Sequence, residues 1–197
     1  ARMAFVSLAK PGGFGGIRSG RARTCARRPL STRTVVVRAT VGTEVAEGFI
    51  QVCTGPKPYS EAIRDFVIAT IAAFKKGYSV TALQFEMTAE QERKLEGDEV
   101  ELRTVLITLV YKTLQRLNIQ QDPGTTPLEV VPGPFDAFID QIYEAYNRGF
   151  DLNRIYQQLN LMNTQEQARS PTESAILRQG SRVIYEAILL AHAAAGS

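Results

Sequence analysis

The chain has 197 residues, of which 44% are hydrophobic and 22% charged, and its formal net charge is +3. No stretch approaches the roughly 18 uninterrupted apolar residues that a membrane-spanning helix needs, so we expect no transmembrane segment. Two Cys and one His exclude a disulfide framework, a four-cysteine zinc site and a multi-histidine metal site. The sequence therefore predicts neither a metal nor a cofactor.

The charge is divided between two parts of the chain. Residues 1–39 hold nine of the 23 basic residues and none of the 20 acidic ones, which leaves residues 40–197 with 14 basic against 20 acidic residues. The first part is rich in Arg, Gly, Ala and Ser and has little patterned apolar surface, so we expect a disordered arm. An Arg-rich, Ser-containing and acid-free segment is typical of organellar transit peptides.

The end of this arm, Val-Val-Val-Arg-Ala at 35–39, resembles the cleavage site of a green-algal chloroplast transit peptide. The resemblance implies import into the chloroplast and cleavage after Ala39. A mitochondrial presequence is one alternative. The other is a retained basic arm that binds RNA, because the Arg side chains of a Gly/Arg-rich segment attract phosphate and such a segment can fold on binding.

Residues 40–57 give no clear periodic pattern. The stretch EGFIQVCTG at 47–55 mixes apolar residues with two Gly. It predicts either a short strand or a loop that docks against the helices that follow.

The rest of the chain repeats one helical pattern. Apolar residues or Thr recur at i, i+3, i+4, i+7, i+8 and i+11, which is the spacing of one face of an amphipathic helix. The first set is 63, 66, 67, 70, 71 and 74, and the second set, 72 residues later, is 135, 138, 139, 142, 143 and 146. A basic residue and then Gly77 or Gly149 follow each set, so we expect these glycines to end the helices in a left-handed conformation.

Two further helices follow in each copy, and their starts are indicated by capping residues. A Ser or Asp after the Gly turn suits the N-cap of a short second helix. A Ser or Asp with Glu three residues later is the signature of a capping box at the start of a long third helix. The expected N-caps are Ser79 and Asp151 for the second helices, and Asp98 (with Glu101) and Ser170 (with Pro171 and Glu173) for the third.

The predicted fold is all-α, a helical bundle built from two tandem three-helix repeats with a disordered N-terminal arm. Repeat 1 covers about 59–118, the linker 119–134 and repeat 2 about 135–195, within a single helical domain at 40–197. Prolines in the linker prevent one continuous helix. Because a three-helix unit alone buries too little apolar surface, we expect the two repeats to pack face to face.

The residues carry little recognisable chemistry. Cys53 and His192 are isolated from one another, so no catalytic residue is predicted and the sequence favours a non-enzymatic protein. The acidic stretch at 90–101 lacks the alternation of a calcium loop and is expected to be a solvated linker. Tyr111 and Tyr185 occupy equivalent places in the third helices, 74 residues apart, and are candidates to line an apolar cleft.

Three functions remain open on this basis. The first is an imported chloroplast protein that acts by protein–protein contact, as an assembly or auxiliary factor or as a small subunit of a stromal or thylakoid-associated complex. In this case the acidic body is not expected to bind nucleic acid, while peripheral membrane contact stays possible. The second is a carrier of a pigment, lipid or quinone between the two repeats, and the third is RNA binding through the retained arm.

Overall fold

The computed structural model describes residues 40–129, 135–159 and 171–195, which belong to one compact unit. These residues form helices joined by turns and loops, without a strand, so the prediction of an all-α protein is confirmed. No described helix combines the length and the apolarity that crossing a membrane requires. The helices are α1 (Val41–Thr54), α2 (Tyr59–Lys75), α3 (Val80–Phe85), α4 (Ala89–Glu92), α5 (Gly97–Arg116), α6 (Asp136–Asn147), α7 (Leu152–Gln158) and α8 (Pro171–Ala195).

Helix α1 corrects the prediction of a strand or loop over residues 40–57. The Thr40 side chain caps it by accepting a hydrogen bond from the Thr43 amide at 3.3 Å. Its apolar residues Val45, Phe49 and Val52 follow the i, i+4, i+7 spacing and are buried. Phe49 packs against Phe66 of α2, with 5.7 Å between the ring centroids. Burial of this one face therefore makes the segment helical, although its two glycines weaken the sequence pattern.

The helices of the two sequence copies correspond in order. Helices α2, α3 and α5 contain the first copy, and α6, α7 and α8 contain the second, while the short α4 lies in the linker before α5. Most residues of the first amphipathic stripe are buried, including Ile63, Phe66 and Phe74, as are Ile139 and Ile142 of the second.

Helices α5 and α8 pack against each other and join the two copies. Both contribute fully buried side chains to the core, among them Leu109 and Ile184. A Cβ atom added at Gly180 would lie 2.9 Å from Leu109 Cδ1 and 3.2 Å from Phe138 Cε1. The missing side chain of Gly180 therefore allows α8 to approach both α5 and α6 closely.

The start of α5 corrects a second expectation. The helix begins at Gly97, so Asp98 lies inside its first turn and the prediction that Asp98 is the N-cap is wrong by two residues. The N-cap is Glu96, whose amide donates to Glu99 Oε2 at 2.9 Å, as in a capping box. Several acidic residues in succession offer alternative caps, which is why the sequence did not fix the position. Ser170, the predicted N-cap of α8, lies outside the described residues.

Candidate functional site

The turns that end α2 and α6 have the same geometry. Gly77 and Gly149 both have φ of +77°, in the left-handed region that favours glycine. The next amide in each turn donates back to the helix: Tyr78 N–H to Ala73 O at 3.1 Å, and Phe150 N–H to Ala145 O at 3.0 Å. Both helices thus end in the 6→1 hydrogen bond of a Schellman motif.

The short helices that follow these turns are capped by side chains. Ser79 Oγ accepts from the Ala82 amide at 3.1 Å, and Asp151 Oδ1 accepts from the Arg154 amide at 2.8 Å. Each bond satisfies one amide that the first turn of the helix leaves without a partner. Ser79 and Asp151 therefore have a structural role, as caps of the helices that follow the two turns.

Tyr111 is a core residue on α5. It is 1% exposed, and its ring lies edge-on to Phe74 with 5.3 Å between centroids. The hydroxyl donates to the Tyr78 carbonyl at 2.7 Å, and burial raises the pKa of the phenol. One side of Tyr111 contributes to a cleft of about 770 Å³ between the α2–α3 turn and residues 126–129.

Tyr185 has the matching place on α8 but is less buried. Its ring lies edge-on to Tyr146, with 5.6 Å between centroids, and burial raises its pKa. Tyr146 also stacks on His192 at 5.6 Å, which gives this His a place in the aromatic cluster. Tyr185 lines a cleft of about 430 Å³ at the α6–α7 turn, and Tyr111 is not among the residues around it.

The two candidate tyrosines are therefore not brought together. Each belongs to its own aromatic pair and faces a separate cleft at its own turn. The geometry gives no support to a single ligand held between Tyr111 and Tyr185.

An apolar groove lies between α2 and α8 and was not anticipated from the sequence. Its volume is about 400 Å³. Ile68, one of the lining residues, is 47% exposed. Leu189 is 38% exposed and precedes the lining residue Leu190 in the sequence. We call this surface the α2–α8 groove; it is lined by Ile68, Ile71, Lys75, Leu114, Ile119, Gln120, Leu190, Ala191 and Ala194.

Lys75 is the one charged residue in the described lining of the α2–α8 groove. Exposed apolar surface of this kind is a feature of surfaces that bind another molecule. The sequence did not reveal it because Ile68 and Ile71 are part of a helix whose other apolar residues form the core.

A second surface that the sequence did not indicate joins the start of α2 to α7 and α8. The Arg182 guanidinium lies 5.1 Å from the centre of the Tyr59 ring, within cation–π distance. Tyr156 OH donates to the Arg178 carbonyl at 3.1 Å. Burial raises the pKa of Tyr59 to about 12, whereas the charges of Arg182 and Arg178 act in the opposite direction.

The described residues hold no group of three or more His, Cys, Asp and Glu side chains placed to bind a metal ion. Burial, followed by the charge of Glu99, raises the pKa of Cys53 to about 12, so the thiol stays protonated at neutral pH. A protonated thiol is a poor nucleophile. The Cys53 thiol is therefore a poor nucleophile in the folded chain.

Comparisons with protein-family models, with curated proteins and with solved structures give no match to this chain. No relative contributes a ligand, a partner or a reaction to the interpretation. The exposed surfaces of the described residues, foremost the α2–α8 groove, therefore carry the functional interpretation.

Proposed function

We propose that this is a non-enzymatic protein, built from two tandem three-helix repeats, that binds a partner protein through the α2–α8 groove. The observation that carries the proposal is the apolar lining of this groove, with Ile68 exposed at its edge. An apolar groove between two helices suits the apolar face of a third helix, which inserts side chains at i, i+3 or i+4 and i+7. Burial of such side chains is a main source of affinity at protein interfaces.

The charge at the groove favours one kind of partner. Lys75 supplies a positive charge, and the described lining contains no acidic residue. A partner helix with an apolar face and an acidic residue beside it would therefore complement the groove in both shape and charge. An apolar small molecule would fill the groove without using Lys75.

The proposed setting is the chloroplast, with residues 1–39 as the transit peptide. Two features support this proposal: the absence of acidic residues from this segment, and the position of Thr40 as the N-cap of α1. Cleavage after Ala39 would leave α1 with its capping side chain. The body that remains has more acidic than basic residues, so we expect it to act on proteins rather than on nucleic acid.

The test is photo-crosslinking from the groove in chloroplasts that express the tagged full-length chain. A photoreactive residue replaces Ile68, and the crosslinked peptides are identified by mass spectrometry. We expect crosslinks to one partner segment that has a helical apolar stripe and an acidic residue. Crosslinks to a lipid or pigment, or to a second copy of this chain, would contradict the proposal.

Two neighbouring alanines on α8 supply a matched pair of variants. Ala194 lines the groove, whereas the adjacent Ala193 is also exposed but is not part of the lining. Ala194→Glu places a carboxylate in the apolar groove and should abolish the crosslink from position 68, whereas Ala193→Glu should preserve it. Equal crosslinking in both variants would show that the groove is not the binding surface.

A further inference from the structure

The chain itself covers one of its two equivalent turns. In the first copy, residues 121–128, which we call the covering segment, lie over the α2–α3 turn. The Asp122 amide donates to the Lys75 carbonyl at 2.8 Å, and Gln121 Nε2 donates to the Phe74 carbonyl at 3.3 Å. A Cβ atom at Gly77 would lie 3.0 Å from Thr125 Cβ, so the segment rests directly on the turn.

The covering segment is held in shape by its own hydrogen bonds. Gln121 Oε1 accepts from the Leu128 amide at 3.0 Å, and Gln121 Nε2 also lies 3.4 Å from the Thr126 carbonyl. The Thr125 amide donates to the Asp122 carbonyl at 3.2 Å, which closes a turn around Gly124. One glutamine side chain thus connects the segment both to itself and to the end of α2.

Among the described residues, the α6–α7 turn has the same backbone but no such cover. A Cβ atom at Gly149 would have no described atom within 4 Å, whereas the one at Gly77 would touch the covering segment. The cleft of about 430 Å³ at this turn is lined by Tyr146, Asn147, Gly149, Phe150, Asp151 and Tyr185. Tyr146 and Asn147 stand at the positions of Phe74 and Lys75, whose carbonyls accept the hydrogen bonds of the covering segment.

We propose that the α6–α7 turn binds an extended peptide segment of a partner protein, as the α2–α3 turn binds residues 121–128. The peptide would donate a main-chain N–H to the Asn147 carbonyl and a side-chain amide to the Tyr146 carbonyl. A small residue would lie next to Gly149. This inference concerns another surface than the α2–α8 groove and does not depend on it.

The probe for this site is a synthetic peptide with the sequence of residues 119–129, IQQDPGTTPLE. It is titrated into the isotope-labelled full-length chain and followed by NMR. The covering segment of the chain already occupies the α2–α3 turn. We therefore expect the peptide to change the chemical shifts of Gly149, Phe150 and Asp151 at the other turn. An untethered peptide lacks the high effective concentration of the chain's own segment, so we expect a dissociation constant of the order of 1 mM.

Two controls separate specific binding from weak adsorption. A peptide with Gln121→Ala loses the side-chain amide and should bind at least several-fold more weakly. In the protein, Asn147→Trp fills the rim of the cleft and should abolish the shifts, whereas Gln141→Trp, at an exposed position of α6 outside the cleft lining, should keep them. Neither residue lines the α2–α8 groove, so failure of the groove proposal would leave this result unaffected.

Three results would overturn the inference. The first is the absence of shifts at the α6–α7 turn at peptide concentrations well above the expected dissociation constant. The second is a shift of the α2–α3 turn instead, which would mean that the peptide merely displaces the covering segment. The third is a change at Gly149 on concentrating the protein without peptide, which would identify a second copy of this chain as the occupant.

Discussion

At the scale of single residues, the same residue type acts differently according to what packs against it. Gly77 and Gly149 share a left-handed backbone, but of the two only Gly77 lies beneath another described part of the chain. Tyr111 and Tyr185 each pack edge-on against an aromatic ring, but of the two only Tyr111 is fully buried, and its hydroxyl donates to a backbone carbonyl. Gly77 and Tyr111 are therefore more enclosed than Gly149 and Tyr185.

The two glycines should differ in their sensitivity to substitution. Gly149→Ala introduces a side chain at positive φ and should lower the free energy of unfolding by about 1 kcal/mol. Gly77→Ala bears the same strain and also brings its Cβ to 3.0 Å from Thr125 Cβ, so its loss should be larger. Urea unfolding of both variants measures this difference. Equal losses would indicate that the covering segment moves aside at little cost.

The partly buried Cys53 thiol should react slowly in the folded chain. Its pKa of about 12, against 9.0 for a free thiol, lowers the thiolate fraction at pH 8 by about a thousandfold, while the higher basicity raises thiolate reactivity by about 30-fold. The net expectation is that iodoacetamide modifies Cys53 roughly 30-fold more slowly in the folded chain than in urea. Mass spectrometry of a full-length Cys25→Ser variant follows the modification of Cys53 alone, because no other cysteine then remains. Equal rates in the two states would contradict the raised pKa.

The raised pKa of Cys53 also predicts the direction in which stability changes with pH. Between pH 9 and about 12 the folded state retains the Cys53 proton while the unfolded state loses it. The folded state therefore binds more protons in this window, and stability should fall as pH rises through it. A Cys53→Ala variant should show a shallower alkaline loss of stability.

At the scale of elements, helices α5 and α6 are joined by two ion pairs that differ in exposure to solvent. Helix α5 makes two ion pairs to α6: Lys112 Nζ lies 2.6 Å from Asp136 Oδ1, and Arg116 Nε lies 2.8 Å from Asp140 Oδ1. The Lys112 side chain is 5% exposed, whereas that of Arg116 is 60% exposed. Solvent therefore reaches both members of the second pair, but mainly the Asp136 carboxylate of the first.

These two pairs provide a controlled comparison. Asp136→Ala removes a carboxylate from a buried ammonium group and should lower the free energy of unfolding by about 1 kcal/mol, a modest value because Asp136 is itself exposed. Asp140→Ala, one turn further along the same helix, should cause no measurable loss. Urea unfolding at low and moderate salt tests the order. A larger loss of stability from Asp140→Ala than from Asp136→Ala would contradict the view that burial of Lys112 strengthens its ion pair.

At the scale of the whole molecule, α5 and α8 pack against each other within one shared core. Each belongs to a different sequence copy, yet they share a core in which Leu109 of α5 reaches the backbone of α8 at Gly180. A structure whose halves share their central helices has no internal boundary at which to separate. We therefore expect a single unfolding transition.

One substitution in each copy checks this expectation. Leu109→Ala and Ile184→Ala both leave cavities at fully buried positions and should each cost roughly 2–5 kcal/mol. Far-UV circular dichroism and tyrosine absorbance should report the same midpoint in either variant. If one variant instead divided the transition into two steps, the copies would be independent folding units.

The sequence by itself determined the helical class, the apolar stripe of α2 and α6, and the glycines at which these helices end, because each follows from local periodicity and backbone preference. It misplaced the start of α5 among several acidic residues and left α1 undecided, since α1 becomes helical by burying Val45, Phe49 and Val52 in the core. Only the tertiary structure decided that Tyr111 and Tyr185 face separate clefts and that Ile68 remains exposed in a groove. It also decided that, among the described residues, a segment covers the α2–α3 turn and none covers the α6–α7 turn. The physical reason is that these features depend on which segments distant in sequence pack together, and no local pattern of residues encodes that choice.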